Sequence, residues 1–216
     1  MPIAFFDMDY TLLRKSTSTL YVKYLLRRRM ISLRELIDVS FVTAQYALNV
    51  LDFPKATARL SRVVRGGDAN ATQHLCEQFV REDVLQYIAP KALARLREHE
   101  SKGDHVILLS ASTQFVVKPV ADHLKIACGF TELAIGADGK FSGAIVGPAA
   151  YAEGKRYWGE RMAQERGVPL SDCWFYTDSY SDHYLMDVVG HPVAINPDPK
   201  LKAYAQQKGW AVEYFY

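Results

Sequence analysis

Three short apolar runs, each stopped by a carboxyl or hydroxyl residue, constrain this 216-residue chain more than any other feature. Residues 3–6 (Ile-Ala-Phe-Phe) stop at Asp7, residues 105–109 (His-Val-Ile-Leu-Leu) at Ser110, and residues 173–177 (Cys-Trp-Phe-Tyr-Thr) at Asp178. Runs of four or five largely apolar residues read as strands buried on both faces, as in a parallel sheet. Helical patterns lie between them. Pro90 opens one that Gly103 closes, residues 114–124 form another, and Gly154-Lys155 opens one that stops at Gly167. Residues 182–189 read as a short helix, residues 192–195 as a further strand, and residues 137–140 as a hairpin turn. The alternation predicts an α/β fold, a Rossmann-like and mostly parallel sheet. Such sheets bind ligands beyond the carboxyl ends of their strands, so Asp7, Ser110 and Asp178 should meet at one edge.

A block without strand signals interrupts this alternation. Ser16 is placed to cap a helix that runs to Arg27, Arg28 and Arg29, where cations suit the helix dipole. Ser32-Leu33-Arg34-Glu35 has the form of a capping box and opens a second helix towards Leu51. Pro54 suits the first turn of a third, ending near Gly66-Gly67, and Asp68 or Asn70 caps a fourth through Tyr87. Residues 15–87 are therefore expected to form a helical cap inserted into a core of residues 1–14 and 88–216.

Composition removes several classes. A formal charge of +2 is too small to argue for nucleic acid. Cys76, Cys128 and Cys173 are scattered singly, which fits neither a disulfide framework nor a structural zinc site. The N-terminus enters its first strand with no basic and apolar leader, so the cytoplasm is the expected location. Residues 36–51 are interrupted by Asp38, Gln45 and Asn49 and fall short of a span of about 20 apolar residues. Residues 7–11 stand where a dinucleotide-binding fold would carry its Gly-rich turn.

The strand ends carry a chemical pattern. Asp7-Met8-Asp9 puts one carboxylate where it can face a reacting centre and another two residues on, although such a pair alone is as often two solvated loop residues. Ser110, followed by the small Ala111, offers a hydroxyl and backbone N–H groups at a strand–helix junction, a phosphate cradle or simply a helix cap. Lys155 at a helix start could neutralise phosphate oxygens, although a lone lysine is usually a solvated one. Asp178 and Asp182 could hold Mg²⁺, which prefers oxygen ligands, or cap a helix. The order of these groups carries more weight than any one of them.

Taken in that order they resemble the four motifs of the haloacid dehalogenase superfamily, in its phosphoserine-phosphatase-like subfamily. The motifs stand here as Asp7-Met8-Asp9-Tyr10-Thr11-Leu12-Leu13, Leu108-Leu109-Ser110-Ala111-Ser112, Gly154-Lys155, and Tyr176-Thr177-Asp178-Ser179-Tyr180-Ser181-Asp182. The resemblance implies a Mg²⁺-dependent phosphatase in which Asp7 is the nucleophile and Asp9 the general acid and base. Mg²⁺ would be held by Asp7, the Asp9 carbonyl and Asp178. Ser110, Ala111 and Lys155 would hold phosphoryl oxygens, with Thr11 and Asp182 in support. Two positions depart from the family: Tyr10, where glycine is frequent, and Ser181, where asparagine is frequent.

The expected substrate is a small phosphomonoester of the phosphoserine or histidinol phosphate type. A phosphatidylglycerophosphate-type lipid at a membrane surface, a phosphomutase, and a non-catalytic binding module on the same scaffold remain as alternatives. A C–halogen hydrolase would have no use for Asp9. Cations crowd both ends of the cap: Arg14, Lys15, Lys23, Arg27, Arg28, Arg29 and Arg34, then Lys55, Arg59, Arg62 and Arg65. Most read as solvated helix faces, and one or two could meet an acidic part of the substrate. Tyr21, Phe41, Tyr46 and Phe53 read as cap core rather than a lipid groove.

Overall fold

The computed structural model describes residues 1–30 and 65–216. The helices expected from Ser32 and Pro54, the cations Arg34, Lys55, Arg59 and Arg62, and the aromatic residues Phe41, Tyr46 and Phe53 lie outside the described residues.

Seven strands form one sheet: β1 (Ile3–Phe6), β2 (His105–Thr113), β3 (Ala127–Ile135), β4 (Phe141–Val146), β5 (Trp174–Thr177), β6 (His191–Ile195) and β7 (Ala211–Glu213). Their spatial order is β4-β3-β2-β1-β5-β6-β7. All neighbours run parallel except β3 and β4, which form the expected hairpin. Among the described residues the α-helices are α1 (Thr17–Arg27), α2 (Ala69–Phe79), α3 (Pro90–Ser101), α4 (Gln114–Leu124), α5 (Glu153–Glu165), α6 (His183–Met186) and α7 (Pro199–Lys208).

The central strand explains the layering. All four residues of β1 are fully buried, and alternation sends them to opposite faces. Ala4 and Phe6 join a cluster with Leu20, Tyr24 and Phe79 of α1 and α2, Leu96 of α3 and Val120 of α4. Ile3 and Phe5 join a second cluster with Ala163, Leu185 and Leu201 of α5, α6 and α7. Each buried phenylalanine contributes roughly 1.5–3 kcal/mol of transfer free energy. A charge introduced on either face of β1 would break one of the two layers.

The segment between β1 and β2 is helical where described. Asp68 caps α2 by accepting from the Ala71 amide at 2.9 Å. The chain then continues to Tyr87 in tighter and wider turns rather than as one helix. Arg27 pairs with Asp83 and Arg28 with Glu82, both at 2.8 Å, while Arg14 donates to Gln86 O and Lys15 to the Tyr87 hydroxyl. These four cations tie the start of the insert to its end on exposed surface, as the solvated-face reading expects. Tyr21 packs edge-on against Phe79, a core position.

Three expectations need correction. Ser110 does not end its strand: β2 continues to Thr113, and its register with β3 shifts between Leu109 and Thr113. Three residues of β2 there face one of β3, a bulge that no apolar pattern announces. Ser16 precedes α1 but does not cap it with its side chain. The sequence patterns assigned no element beyond residue 195, where the structure carries α7 and the edge strand β7.

Candidate active site

Beyond Phe6 the chain turns sharply. The Asp7 amide still donates to Tyr176 O of β5 at 2.9 Å, and the turn closes through Leu12 N to Asp7 O and Leu13 N to Met8 O. Inside it Asp9 is extended and Tyr10 is left-handed, with φ 56° and ψ 0°. That conformation costs a bulky L-residue about 1–2 kcal/mol, and glycine adopts it freely, which accounts physically for the family's preference at this position.

The Asp7 side chain meets Lys155. The Lys155 ammonium donates to Asp7 Oδ1 at 2.7 Å and to Asp182 Oδ2 at 2.6 Å, and the Thr177 hydroxyl donates to that same Asp182 oxygen at 2.6 Å. Lys155 is 2% exposed, so it is no surface lysine. Gly154 permits this: a Cβ there would fall on the carbonyl of Ala149, so only glycine lets the start of α5 press against the preceding loop.

Negative charge exceeds positive charge here. Burial pushes the Asp7 carboxyl up to about 7; Lys155 counters the rise, and Asp182 and Asp9 add to it. Burial, then repulsion from Asp7 and Asp182, holds Asp178 well above the usual carboxylate range. Burial also works against the Lys155 charge, but Asp182 and Asp7 keep its pKa above the ordinary lysine value. Asp178 sits partly buried on the Thr11 side, where the Thr11 hydroxyl lies 3.4 Å from its Oδ1.

Asp9 is held apart from this cluster, by α1. Its Oδ1 accepts from the Thr17 amide at 3.0 Å, and its Oδ2 accepts from the hydroxyls of Thr17 at 3.1 Å and Ser16 at 3.4 Å. Asp9, rather than Ser16, therefore caps α1 and ties that carboxyl to the first helix of the insert. Burial raises the Asp9 pKa to about 6, against the lowering effect of the Thr17 and Ser16 bonds.

Ser110 is buried at the bulge, where its Oγ accepts from the Ser112 amide at 3.2 Å. The Ala111 carbonyl accepts from Thr131 at 2.8 Å. The Thr17 and Ser112 hydroxyls lie 3.3 Å apart, so α1 and the β2 bulge adjoin.

Sequence patterns missed Thr17, Thr177 and Tyr151. The Tyr151 phenol bonds to the side chain of Ser181, the second departure from the family. An S/T-rich string after D-x-D was the available signal for Thr17; nothing local announces Tyr151.

Among the described residues no three His, Cys, Asp or Glu side chains form a metal-binding group. Mg²⁺ needs fewer, often one or two carboxylates completed by phosphate oxygens and water. The carboxylate excess around Asp7 and Asp178, offset by one ammonium, suits such a cation.

The family model of haloacid dehalogenase-like hydrolases matches residues 4–187, and the chain belongs to that family. It is 27% identical to a histidinol-phosphatase of Neisseria meningitidis, over 99% of this chain and 98% of that protein. It is also 27% identical to a phosphoserine phosphatase of Mycobacterium tuberculosis, over 98% of this chain and 70% of that one. A crystal structure of a Bordetella pertussis protein of unknown function superposes with a TM-score of 0.89 at 25% identity, covering 100% of this chain and 99% of that one.

Proposed function

We propose that the protein is a Mg²⁺-dependent phosphomonoester phosphatase that works through an aspartyl-phosphate on Asp7. The observation that supports this most is the buried Lys155 ammonium shared by Asp7 and Asp182, with Asp9 held separately by α1. A nucleophile and a proton carrier in different environments are what two-step ester hydrolysis requires.

Asp7 Oδ, the Asp9 carbonyl and Asp178 would hold Mg²⁺. When bound, it neutralises carboxylate and phosphate charge so that the two anions can approach. Lys155, the Ser110 hydroxyl and the Ala111 amide hold the phosphoryl oxygens. Asp7 attacks phosphorus in line, the ester P–O bond breaks, and Asp9 gives its proton to the leaving alkoxide. Asp9 then takes a proton from water as the water oxygen attacks phosphorus. The bond from phosphorus to Asp7 breaks and inorganic phosphate leaves. A carboxyl with a pKa of about 6 holds and releases a proton near neutrality. Thr11 steadies Asp178, and Asp182 steadies Lys155. Residues 15–87 serve as the cap, entered through α1, against a core of residues 1–14 and 88–216.

The substrate on this reading is a small phosphorylated metabolite of the histidinol phosphate or phosphoserine type, as the two relatives' names suggest. Among the described residues no helix is long and apolar enough to cross a membrane. The apolar stretch behind the lipid-phosphate alternative lies outside the described residues. The test is phosphate release from p-nitrophenyl phosphate, phosphoserine, histidinol phosphate and phosphatidylglycerophosphate vesicles, with Mg²⁺ or with a chelator. Release from a soluble ester that needs Mg²⁺ is expected. Release from none of the four would overturn the reading, and release from vesicles alone would replace the substrate class.

A further inference from the structure

Tyr10 holds a left-handed conformation in the loop between Asp7 and Thr11, and the structure shows what keeps it there. Its carbonyl oxygen accepts two hydrogen bonds, from Asn196 Nδ2 at 3.1 Å and from the Tyr216 hydroxyl at 3.0 Å. Both donors are remote in sequence. Asn196 follows β6 directly, and Tyr216 lies three residues past β7.

The donors are themselves fixed. The Asn196 amide donates to Glu213 O at 2.9 Å, and the Phe215 amide donates to Asn196 Oδ1 at 3.0 Å. Phe215 is 4% exposed and packs in the same cluster as Phe6 and Met8. Lys91 of α3 donates to Tyr214 O at 3.1 Å. Residues 213–215, which lead into the Tyr10 contact, are thus each anchored. Burial, with Asp178 and Tyr10 nearby, pushes the Tyr216 phenol up to about 12, so it remains a donor at neutral pH.

We propose that Asn196 and Tyr216 are positioning residues that lock the turn between Asp9 and Thr11, doing for Tyr10 what glycine would do unaided. Without them an aromatic residue at φ 56° relaxes towards negative φ. The peptide units on either side then rotate, and with them go the Asp9 carboxyl on one side and the Thr11 hydroxyl beside Asp178 on the other. The kinetic part of this inference rests on the phosphatase reading; the conformational part does not.

The experiment is a cycle of Tyr216→Phe, Tyr10→Gly and the double variant, with Asn196→Ala as a second probe. Amide hydrogen exchange of Leu12 and Leu13 is read alongside kcat and KM for p-nitrophenyl phosphate with Mg²⁺. Tyr216→Phe is expected to speed exchange at those amides about tenfold and to lower kcat by a similar factor at unchanged KM. In the Tyr10→Gly background the same substitution should change both by less than about twofold, because glycine needs no holding. Equal losses in the two backgrounds, or unchanged exchange in Tyr216→Phe and Asn196→Ala, would overturn the proposal. If exchange follows the cycle but no variant and no wild-type protein releases phosphate, the lock stands and the phosphatase reading falls. If phosphate is released but the effects simply add, the lock falls and the phosphatase reading stands.

Discussion

Two polar networks grow from consecutive residues of β5, on opposite faces, and they are built to opposite rules. On one face the Tyr176 hydroxyl meets His99 Nε2 at 2.8 Å, His99 Nδ1 meets Asp104 at 2.7 Å, and Arg95 makes a two-pronged contact with Glu213 at 3.3 and 3.0 Å. Phe6 and Trp174 wall it in, and each ionisable group has a partner. On the other face Thr177 leads to Asp182, Lys155 and Asp7, with Asp178 and Asp9 beyond. There, four carboxyl groups surround one ammonium, and only Asp7 and Asp182 touch it. The first network is closed and joins α3, β5 and β7; the second is left anionic. Uncompensated charge in a buried place costs stability, and it persists where chemistry needs it.

The largest expected effects lie on the anionic side. Asp7→Asn should lower turnover of p-nitrophenyl phosphate about 10⁴-fold or more, because on the proposed reading Asp7 carries the phosphoryl intermediate. Asp9→Asn should lower it about 10²–10⁴-fold, with slow residual phosphate release. Both variants should melt no lower than the wild type, since each removes a carboxylate that burial disfavours. Wild-type turnover in Asp7→Asn would remove the distinction between the faces. Lys155→Met should lose activity comparably and, at neutral pH, cost about 3–5 kcal/mol in urea unfolding, as expected when one partner of a buried ion pair is deleted. A stable Lys155→Met protein at neutral pH would show that the carboxylates are not ionised together.

The same contrast shows which features could be read from sequence. The strand runs pointed to Asp7 and Asp178, because burial on both faces writes a continuous apolar string, whereas Lys155, at a helix start, stood out only through the order of the four motifs. Helix starts near Pro90, Gln114 and Gly154 were legible to within a few positions. Ser110 was found, but not the bulge that displaces it, since a register shift belongs to two strands at once. The Asp9–Thr17 bonds span only eight residues, yet D-x-D followed by S-T-S-T offers several hydroxyls and no rule for choosing among them. The Tyr10 brace joins positions 186 and 206 residues apart, beyond any local pattern.

A pH series sharpens the comparison. Asp7 moves from 3.8 to about 7 on folding without metal, and Asp9 from 3.8 to about 6. Between those values the folded protein binds more protons than the unfolded chain, so stability falls as pH rises through that window. In chelator, unfolding free energy should be lower at about pH 8 than at about pH 5, by on the order of 2–4 kcal/mol. Adding Mg²⁺ at the higher pH should recover much of the loss, because on the proposed reading the cation binds the ionised carboxylates of the folded state alone. Stability that rises over this window in chelator would mean that the carboxylate excess is already neutralised by groups of the chain.

The smallest effect belongs to the closed network, and its sign is the most discriminating. Tyr176→Phe keeps the ring stacked on Phe6 at 4.5 Å and removes only the hydroxyl that meets His99 and Arg95. One buried imidazole nitrogen then lacks its partner, which costs about 1–3 kcal/mol. The link from this residue to Asp7 is its main-chain carbonyl, which accepts from the Asp7 amide and is untouched by the substitution. Stability should therefore fall while kcat and KM stay within about twofold of wild type. A tenfold drop in kcat at unchanged stability would mean that the two faces of β5 communicate through side chains, and the Asp104–His99–Tyr176 chain would then belong to the active site rather than to the fold.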